Sequence, residues 1–221
     1  MRTYTLPILL LGALAGCGAN GELVPAPGAN ALPAPDVGAF STAAGVRLEV
    51  RSNAWNGLPQ TLPQSLTPLL VHITNDNRRP VMIRYADFTL QAANGKTYAA
   101  LPPFDIDKTI TFDPRYTDDG FALAPYLGGY YPRWRRFDAF PAFDRPYWSR
   151  YYPEFVQLQL PTPDMLRAAL PEGVVQPGGT AMGFLYFQHV PASAGSVTLA
   201  ERLETTGGAS LGDATIPFQV R

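Results

Sequence analysis

Hydrophobic and polar residues alternate along several short stretches of the chain. Val46–Arg51 alternates without a fault, and residues 155–160 repeat the pattern. This period of two is the signature of a half-buried β-strand. In residues 181–190, Met182, Phe184 and Tyr186 fall on one face and Leu185 and Phe187 on the other. Together with more apolar runs, the pattern predicts about eight strands, in residues 46–51, 67–74, 81–92 with a kink at residues 86–87, 96–100, 155–160, 181–190, 197–203 and 215–220.

Turn and helix signals separate these strands. Asn94-Gly95 is a strong hairpin signal, and residues 75–80 (NDNRRP) form a second turn cluster. One short helix is predicted after Thr162, which can cap it, with Pro163 suited to its first position. Many short strands and one helix predict an all-β fold, an antiparallel immunoglobulin-like β-sandwich spanning residues 45–221.

The N-terminal residues have the pattern of an export signal. Arg2 precedes an apolar stretch that is too short to span a bilayer, so residues 1–16 are predicted to be a signal peptide. The stretch ends in Leu14, Ala15, Gly16 and Cys17, which resembles the lipobox of bacterial lipoproteins. The resemblance implies that a signal peptidase recognises the first three residues, cleaves before Cys17, and leaves that cysteine lipidated. An ordinary signal peptide with an incidental cysteine is the alternative.

The resemblance also implies a location and a partner. A lipidated Cys17 would hold the protein on a membrane of the bacterial cell envelope, and Gly18 after it favours the outer membrane over inner-membrane retention. Residues 17–44 are rich in Pro and Ala, which favours extended geometry. They are predicted to be a tether that could reach up to about 80 Å at ~3.1 Å per residue.

The predicted domain is similar to uncharacterised immunoglobulin-like lipoprotein domains of bacterial envelopes. The similarity rests on the turn motif at Thr74–Val81 (TNDNRRPV) and on residues 177–187, which contain PGG and GFLYF. It covers roughly residues 46–103 and 154–220. These are turn and core motifs, so the resemblance implies a fold and no activity.

One segment differs from the rest of the chain. Residues 104–154 are predicted to be a long aromatic-rich and Pro-rich loop insertion, and residues 104–155 hold 16 of the chain's 26 aromatic residues. A loop of this length is unusual in a compact domain, and its aromatic content argues against disorder. Ten of its residues are candidates for binding an envelope protein or a glycan: Tyr130, Tyr131, Arg133, Trp134, Arg135, Arg136, Tyr147, Trp148, Tyr151 and Tyr152. The alternative is that these aromatics only pack the loop against the domain.

Composition excludes several classes of function. The chain has 17 Lys and Arg against 18 Asp and Glu, and this balance argues against nucleic acid as a partner. Its single cysteine excludes a disulfide framework and a thiolate metal cluster. No nucleotide-binding or metalloprotease motif occurs, so no cofactor, metal or catalytic residue is predicted.

Three weaker chemical patterns remain. The only histidines, His72 and His189, fall in predicted strands and could serve an envelope hydrolase or a metal-binding protein, the alternative to a non-enzymatic module. Gly208–Gly212 matches G-x-S-x-G, but a strand follows it and no histidine follows Ser210, so a hairpin loop is the better interpretation. Five aspartates could bind Ca²⁺ in a loop, although turn formation is their more common role: Asp105, Asp107, Asp113, Asp118 and Asp119.

Overall fold

A computed structural model describes residues 21–112 and 156–221. Twelve strands form one sheet that folds over into two layers, and two more strands form a separate small sheet. The first layer contains β1 (Leu23–Pro25), β6 (Val81–Ile83), β7 (Phe88–Ala92), β8 (Thr97–Leu101), β11 (Gly173–Val175), β13 (Ser196–Thr205) and β14 (Ser210–Val220). The second contains β2 (Asn30–Ala31), β3 (Gly38–Ala43), β4 (Val46–Arg51), β5 (Leu66–Asn75) and β12 (Thr180–Gln188).

Strand β8 forms the corner between the layers. It pairs with β7 over residues 97–99 and then with β12 at Ala100 and Leu101. On the opposite side the layers also approach each other, where the Ser52 hydroxyl donates to the Leu23 carbonyl at 2.5 Å. All pairings between strands are antiparallel among the described residues. The result is a two-layer antiparallel sandwich whose sheet nearly closes on itself.

The main core fills the space between the layers. Alternate residues of each strand point inward, because side chains of a strand alternate between its two faces. Val46, Leu48 and Val50 of β4 are fully buried, while the residues between them are half-exposed. Leu199 and Leu203 of β13 meet them from the other layer within the same cluster. The alternation in the sequence therefore specifies which face of each strand lies inside.

A second core covers part of the outer face of the second layer. It lies beneath helix α1 (Pro163–Ala168) and the small sheet of β9 (Lys108–Phe112) and β10 (Val156–Leu160). Strand β12 is consequently buried on both faces over residues 183–187. Leu185 and Phe187 enter the main core, and Phe184 and Tyr186 enter the second. The continuous apolar run of β12 reflects this two-sided burial.

The all-β antiparallel class predicted from the sequence is confirmed. The Asn94-Gly95 turn joins β7 to β8, with Gly95 at a φ of +84°. Helix α1 is the only α-helix among the described residues, and it begins as predicted, because the Thr162 hydroxyl accepts a hydrogen bond from the Met165 N–H. It ends at Ala168, two residues before the predicted Leu170.

The start of the domain differs from the prediction. Residues 21–44, predicted to belong to a tether over 17–44, contain β1, β2 and β3. Leu23 and Ala39 are buried in the main core, and β1 pairs with β14 at the edge of the first layer. Their Pro and Ala content concealed these strands, because proline is tolerated at sheet edges and alanine packs readily. The predicted signal peptide and Cys17 lie outside the described residues.

The start of the predicted insertion also belongs to the fold. Residues 104–112 include β9, and Ile106 and Ile110 are buried in the second core. Strand β10 begins at Val156, so both strands flank residues 113–155, which lie outside the described residues. The insertion of 104–154 is therefore shorter at its beginning than the sequence predicts.

Candidate functional site

The small sheet is the stem from which the predicted aromatic insertion leaves the domain. Phe112 pairs with Val156, and the register continues to Lys108 opposite Leu160. Since paired residues of neighbouring strands lie about 5 Å apart, the two ends of residues 113–155 leave the fold side by side. Ile110 and Leu160 fix the stem in the second core. The ten predicted binding residues all lie outside the described residues: Tyr130, Tyr131, Arg133, Trp134, Arg135, Arg136, Tyr147, Trp148, Tyr151 and Tyr152.

A shallow cleft between helix α1 and the loop at residues 55–57 exposes part of a fixed tryptophan. The Trp55 indole N–H donates to the Pro59 carbonyl at 2.9 Å. Its ring stands edge-on to Phe184 and Tyr186, with centroid distances of 5.2 and 6.0 Å. Sequence reasoning missed this residue, because it lies in an irregular segment between strands and no periodicity marks it.

The charged groups of this cleft already have protein partners. The cleft has a volume of about 250 Å³ and is lined by Trp55, Asn56, Gly57, Asp164, Arg167 and Ala168. Asp164 accepts a hydrogen bond from the Leu58 N–H at 2.9 Å and pairs with Arg167. These interactions fix helix α1 against the Trp55 loop, and they account for the charges without a ligand.

The two histidines do not share a site. His72 of β5 lies opposite Met182, whereas Gln188, the residue before His189, lies opposite Leu66. Six residues along a strand correspond to about 20 Å, which is too far for one metal or one proton relay. A histidine pair is therefore not formed in the structure.

Each histidine also lacks the geometry of a catalytic base. Among the described residues, the Glu49 carboxylate faces His72 with an oxygen 3.9 Å from Nδ1, beyond hydrogen-bond distance. His189 Nδ1 is buried without a partner among the described residues. Burial lowers the pKa of His189, and the Lys108 ammonium lowers it further. A hydrogen bond with the Pro63 backbone opposes this decrease, and the surroundings of His189 are those of a packing residue.

The G-x-S-x-G match is a hairpin, as predicted. Residues 208–212 span the turn between β13 and β14 and the start of β14, with Gly208 and Gly212 at positive φ. The Ser210 hydroxyl accepts a hydrogen bond from the Gly212 N–H at 3.3 Å. A nucleophile elbow requires a strand followed by a helix, and this turn joins two strands.

The aspartates considered for Ca²⁺ fall partly outside the described residues. Asp107 accepts a hydrogen bond from the Gln159 amide at 2.8 Å, which joins β10 to the start of the stem. Asp113, Asp118 and Asp119 lie in the part of the chain that the structure does not describe. Within residues 21–112 and 156–221, no three His, Cys, Asp or Glu side chains are grouped to hold a metal.

A buried acid in the first layer is the most perturbed carboxyl group of the described residues. Glu201 of β13 is only 1% exposed, and its Oε2 has no partner in the described part of the chain. It shares the core-facing side of β13 with Leu199 and Leu203. Burial raises the pKa of Glu201 to about 8, and the nearby Asp87 carboxylate adds to the increase. Sequence reasoning missed Glu201, although its spacing places it on the same face as Leu199 and Leu203, because carboxylate side chains are rarely buried.

Comparisons of the chain with protein-family models, curated proteins and solved structures gave no match. Helix α1 spans six residues, and no helix in the described ranges has the length and apolar character needed to cross a bilayer.

Proposed function

We propose that this chain is a lipid-anchored protein of the bacterial cell envelope that acts as a non-enzymatic binding or structural module. The anchor is Cys17, within the lipobox-like sequence Leu14–Cys17. The binding element is the aromatic and Arg-rich part of residues 113–155, and its partner is an envelope protein or a glycan.

The stem is the observation that carries the binding proposal. Strands β9 and β10 pair only with each other among the described residues, so the segment between them is an excursion from one point of the domain. A scaffold that holds both ends of a long loop fixed is the usual arrangement for a binding loop. Aromatic and Arg side chains supply the largest contributions at protein interfaces and also stack on sugar rings.

Replacing Cys17 tests the anchor. A Cys17→Ser variant has no thiol for acylation, so it is expected to incorporate no palmitate and to move from the detergent phase to the aqueous phase. Palmitate labelling and detergent-phase partitioning in the native host measure both effects. Ser193→Ala, a change in an exposed turn that leaves the lipobox intact, is the control. Unchanged partitioning of Cys17→Ser would contradict lipid anchoring.

Replacing four aromatics tests the binding element. In the variant with Tyr130, Tyr131, Trp134 and Trp148 changed to Ala, crosslinking to envelope components in intact cells is expected to fall roughly tenfold or more, the size of a hot-spot loss. The melting temperature of the domain should stay within a few degrees of wild type, because the described cores are built from other residues.

The control for this experiment is Met182→Ala, which removes an apolar side chain that is 62% exposed on β12. It should keep wild-type crosslinking. Unfolding of the four-residue variant would instead show that the aromatics pack the domain, and unchanged crosslinking would exclude them as the binding element.

A further inference from the structure

The chain enters the sandwich at a firmly fixed point. The Glu22 N–H donates to the Arg221 carbonyl and the Arg221 N–H donates to the Glu22 carbonyl, both at 2.9 Å. Gly21 lies so close to the Val190 carbonyl that a Cβ would meet it at 2.8 Å. The first described residues are therefore part of the fold, and the chain is held in place from Glu22 onward.

The turns around this point form one end of the sandwich, which we name the entry end. It comprises Arg221, the turn at residues 93–96 between β7 and β8, and the turn at residues 191–195 before β13. The Ala93 N–H donates to Ser196 and the Val220 N–H donates to Gly195, so these turns are hydrogen-bonded into a single surface.

The opposite end, which we name the far end, is built from other turns. The Asn77 amide donates to the Ala44 carbonyl, and the Gly178 N–H donates to the Asn75 carbonyl. The β13–β14 hairpin at residues 206–209 also lies there, since β14 runs from this hairpin to Val220 beside β1. The 11 residues of β14 make the sandwich about 37 Å long between its ends.

Covalent reach limits how far the entry end can stand from the anchor. Glu22 is five positions after Cys17, and an extended chain spans at most about 3.6 Å per position, so the reach is roughly 18 Å. The headgroup layer of each leaflet occupies about 5–7 Å of this distance. A tether of 27 residues would have let the domain turn freely, but five residues bring its entry end to the membrane surface.

The charges of the entry end suit phosphate groups. Lys96 and Arg221 are exposed there, and the turns at 93–96 and 191–195 contain no acidic residue. Glu22 is the exposed carboxylate beside them, and the neighbouring Asp36 is paired with Arg51 at 3.3 Å. Cationic side chains near a phosphate-rich surface are favourable because the lipid headgroups carry negative charge.

We propose that the entry end is a membrane-contact surface that rests on phosphate-bearing lipid headgroups, with the sandwich standing upright and the far end directed away from the bilayer. This inference rests on the proposed lipidation of Cys17. The partner is the lipid surface itself, and the contact sets the height at which β9, β10 and the segment between them are presented.

Depth-dependent quenching tests this orientation on the full-length lipoprotein. Single cysteines are introduced as Ser193→Cys at the entry end, Met182→Cys on the outer face of β12, and Ala209→Cys at the far end, all at exposed positions. Each is labelled with a small fluorophore, since the Cys17 thiol is consumed by acylation. The protein is reconstituted into phosphatidylethanolamine and phosphatidylglycerol vesicles that contain a lipid with a spin label on its headgroup.

The label at position 193 is expected to be quenched at least threefold more than the label at 209, with the label at 182 between them. Equal or stronger quenching at 182 would show that the sandwich lies on its side and would overturn the proposal. Equal or stronger quenching at 209 would do the same. Palmitate incorporation and flotation with vesicles are measured first, so a protein without lipid disproves the anchor separately from the orientation.

Two charge variants test the contact with phosphates. In the Ser193→Cys background, Lys96→Glu is expected to reduce quenching at position 193 by about half, because it places a carboxylate against the headgroups. Arg78→Glu, the matched change at an exposed far-end residue, should leave it unchanged. Equal effects of the two variants would exclude the proposed phosphate contact.

Discussion

Two buried polar side chains in the sandwich differ in how well their hydrogen-bonding groups are satisfied. Asn75 at the end of β5 is completely buried, and Glu201 in the middle of β13 is nearly so. The Asn75 amide donates to the carbonyls of Arg79 and Val175 at 2.9 Å, and its Oδ1 accepts from the Asn77 N–H at 3.0 Å. For Glu201, Oε2 meets no donor in the described residues.

The difference follows from where each residue lies in its strand. Asn75 lies where β5 ends and two turns begin, so backbone groups without ladder partners surround it. Glu201 lies between Phe88 of β7 and Ala214 of β14, whose backbone groups are already used in the sheet. Burying a polar side chain carries a small free-energy penalty only where backbone donors and acceptors are free to bond it. Such groups are available at strand ends, whereas those at strand centres are already paired.

The charged residues near Glu201 increase the free-energy penalty of burying its carboxylate. Asp87, whose side chain is only 2% exposed, is held by Arg84 at 2.7 Å and by Arg202 at 3.1 Å. These arginines neutralise Asp87 and Glu204 on the outer side of β13. None of them is hydrogen-bonded to Glu201 in the described structure, which leaves the core-facing carboxyl with Asp87 as its charged neighbour.

The largest effect expected from this comparison is a pH dependence of stability caused by Glu201. Its pKa is about 8 in the folded protein against 4.5 in the unfolded chain, so between these values the folded protein holds a proton that the unfolded chain has lost. The stabilisation that Glu201 contributes through this proton is therefore fully present below about pH 4.5, and it is lost as the pH rises to 8. The free energy of unfolding falls by about 1.4 kcal/mol per pH unit across this range, or roughly 5 kcal/mol in total.

Chemical unfolding between pH 4.5 and 9 measures this effect as a difference from Glu201→Gln. The amide cannot ionise. The free energy of unfolding of the variant should therefore increase relative to that of the wild type as the pH rises, and the difference should become constant above pH 8. Glu22→Gln, at an exposed carboxylate, is the control and should show no comparable change. A gap that stays constant with pH would mean that Glu201 is not a buried proton-binding group.

Much of the main sandwich could be predicted because its strands are half-buried. Val46–Arg51 and Phe88–Ala92 occur with the predicted bounds, since each places apolar residues on one side only. The N-terminal cap of α1 could also be predicted from the sequence, because Thr162 and Pro163 meet the local requirements of a helix start. The side assigned to Phe184 and to Leu185 was also correct, although the sequence did not show what would cover Phe184.

The second core and the first strands could not be predicted because their burial depends on distant partners. Leu62 and Ile106 lie in irregular segments without periodicity, and they become core only when β9, β10 and α1 pack over Phe184. Strand β3 consists largely of small residues, and β1 has only three residues, the last of them a proline, so neither carries a clear periodic signal. Glu201 was missed for another reason: its spacing from Leu199 and Leu203 places it on the core face, but carboxylate side chains are rarely buried, so no core role was predicted for it.

A smaller, pH-independent loss is expected for Asn75→Ala. The change removes three hydrogen bonds, one of them the buried bond to the Val175 carbonyl, so the free energy of unfolding should fall by about 2–4 kcal/mol. Asn77→Ala, which removes an exposed amide bonded to Ala44 at 2.8 Å, should cost less than about 1 kcal/mol. Urea unfolding at two pH values separates the two sites, because only the site of Glu201 responds to protons. Equal losses for Asn75→Ala and Asn77→Ala would show that the buried amide contributes no more than a surface turn, and would remove the contrast between strand end and strand centre.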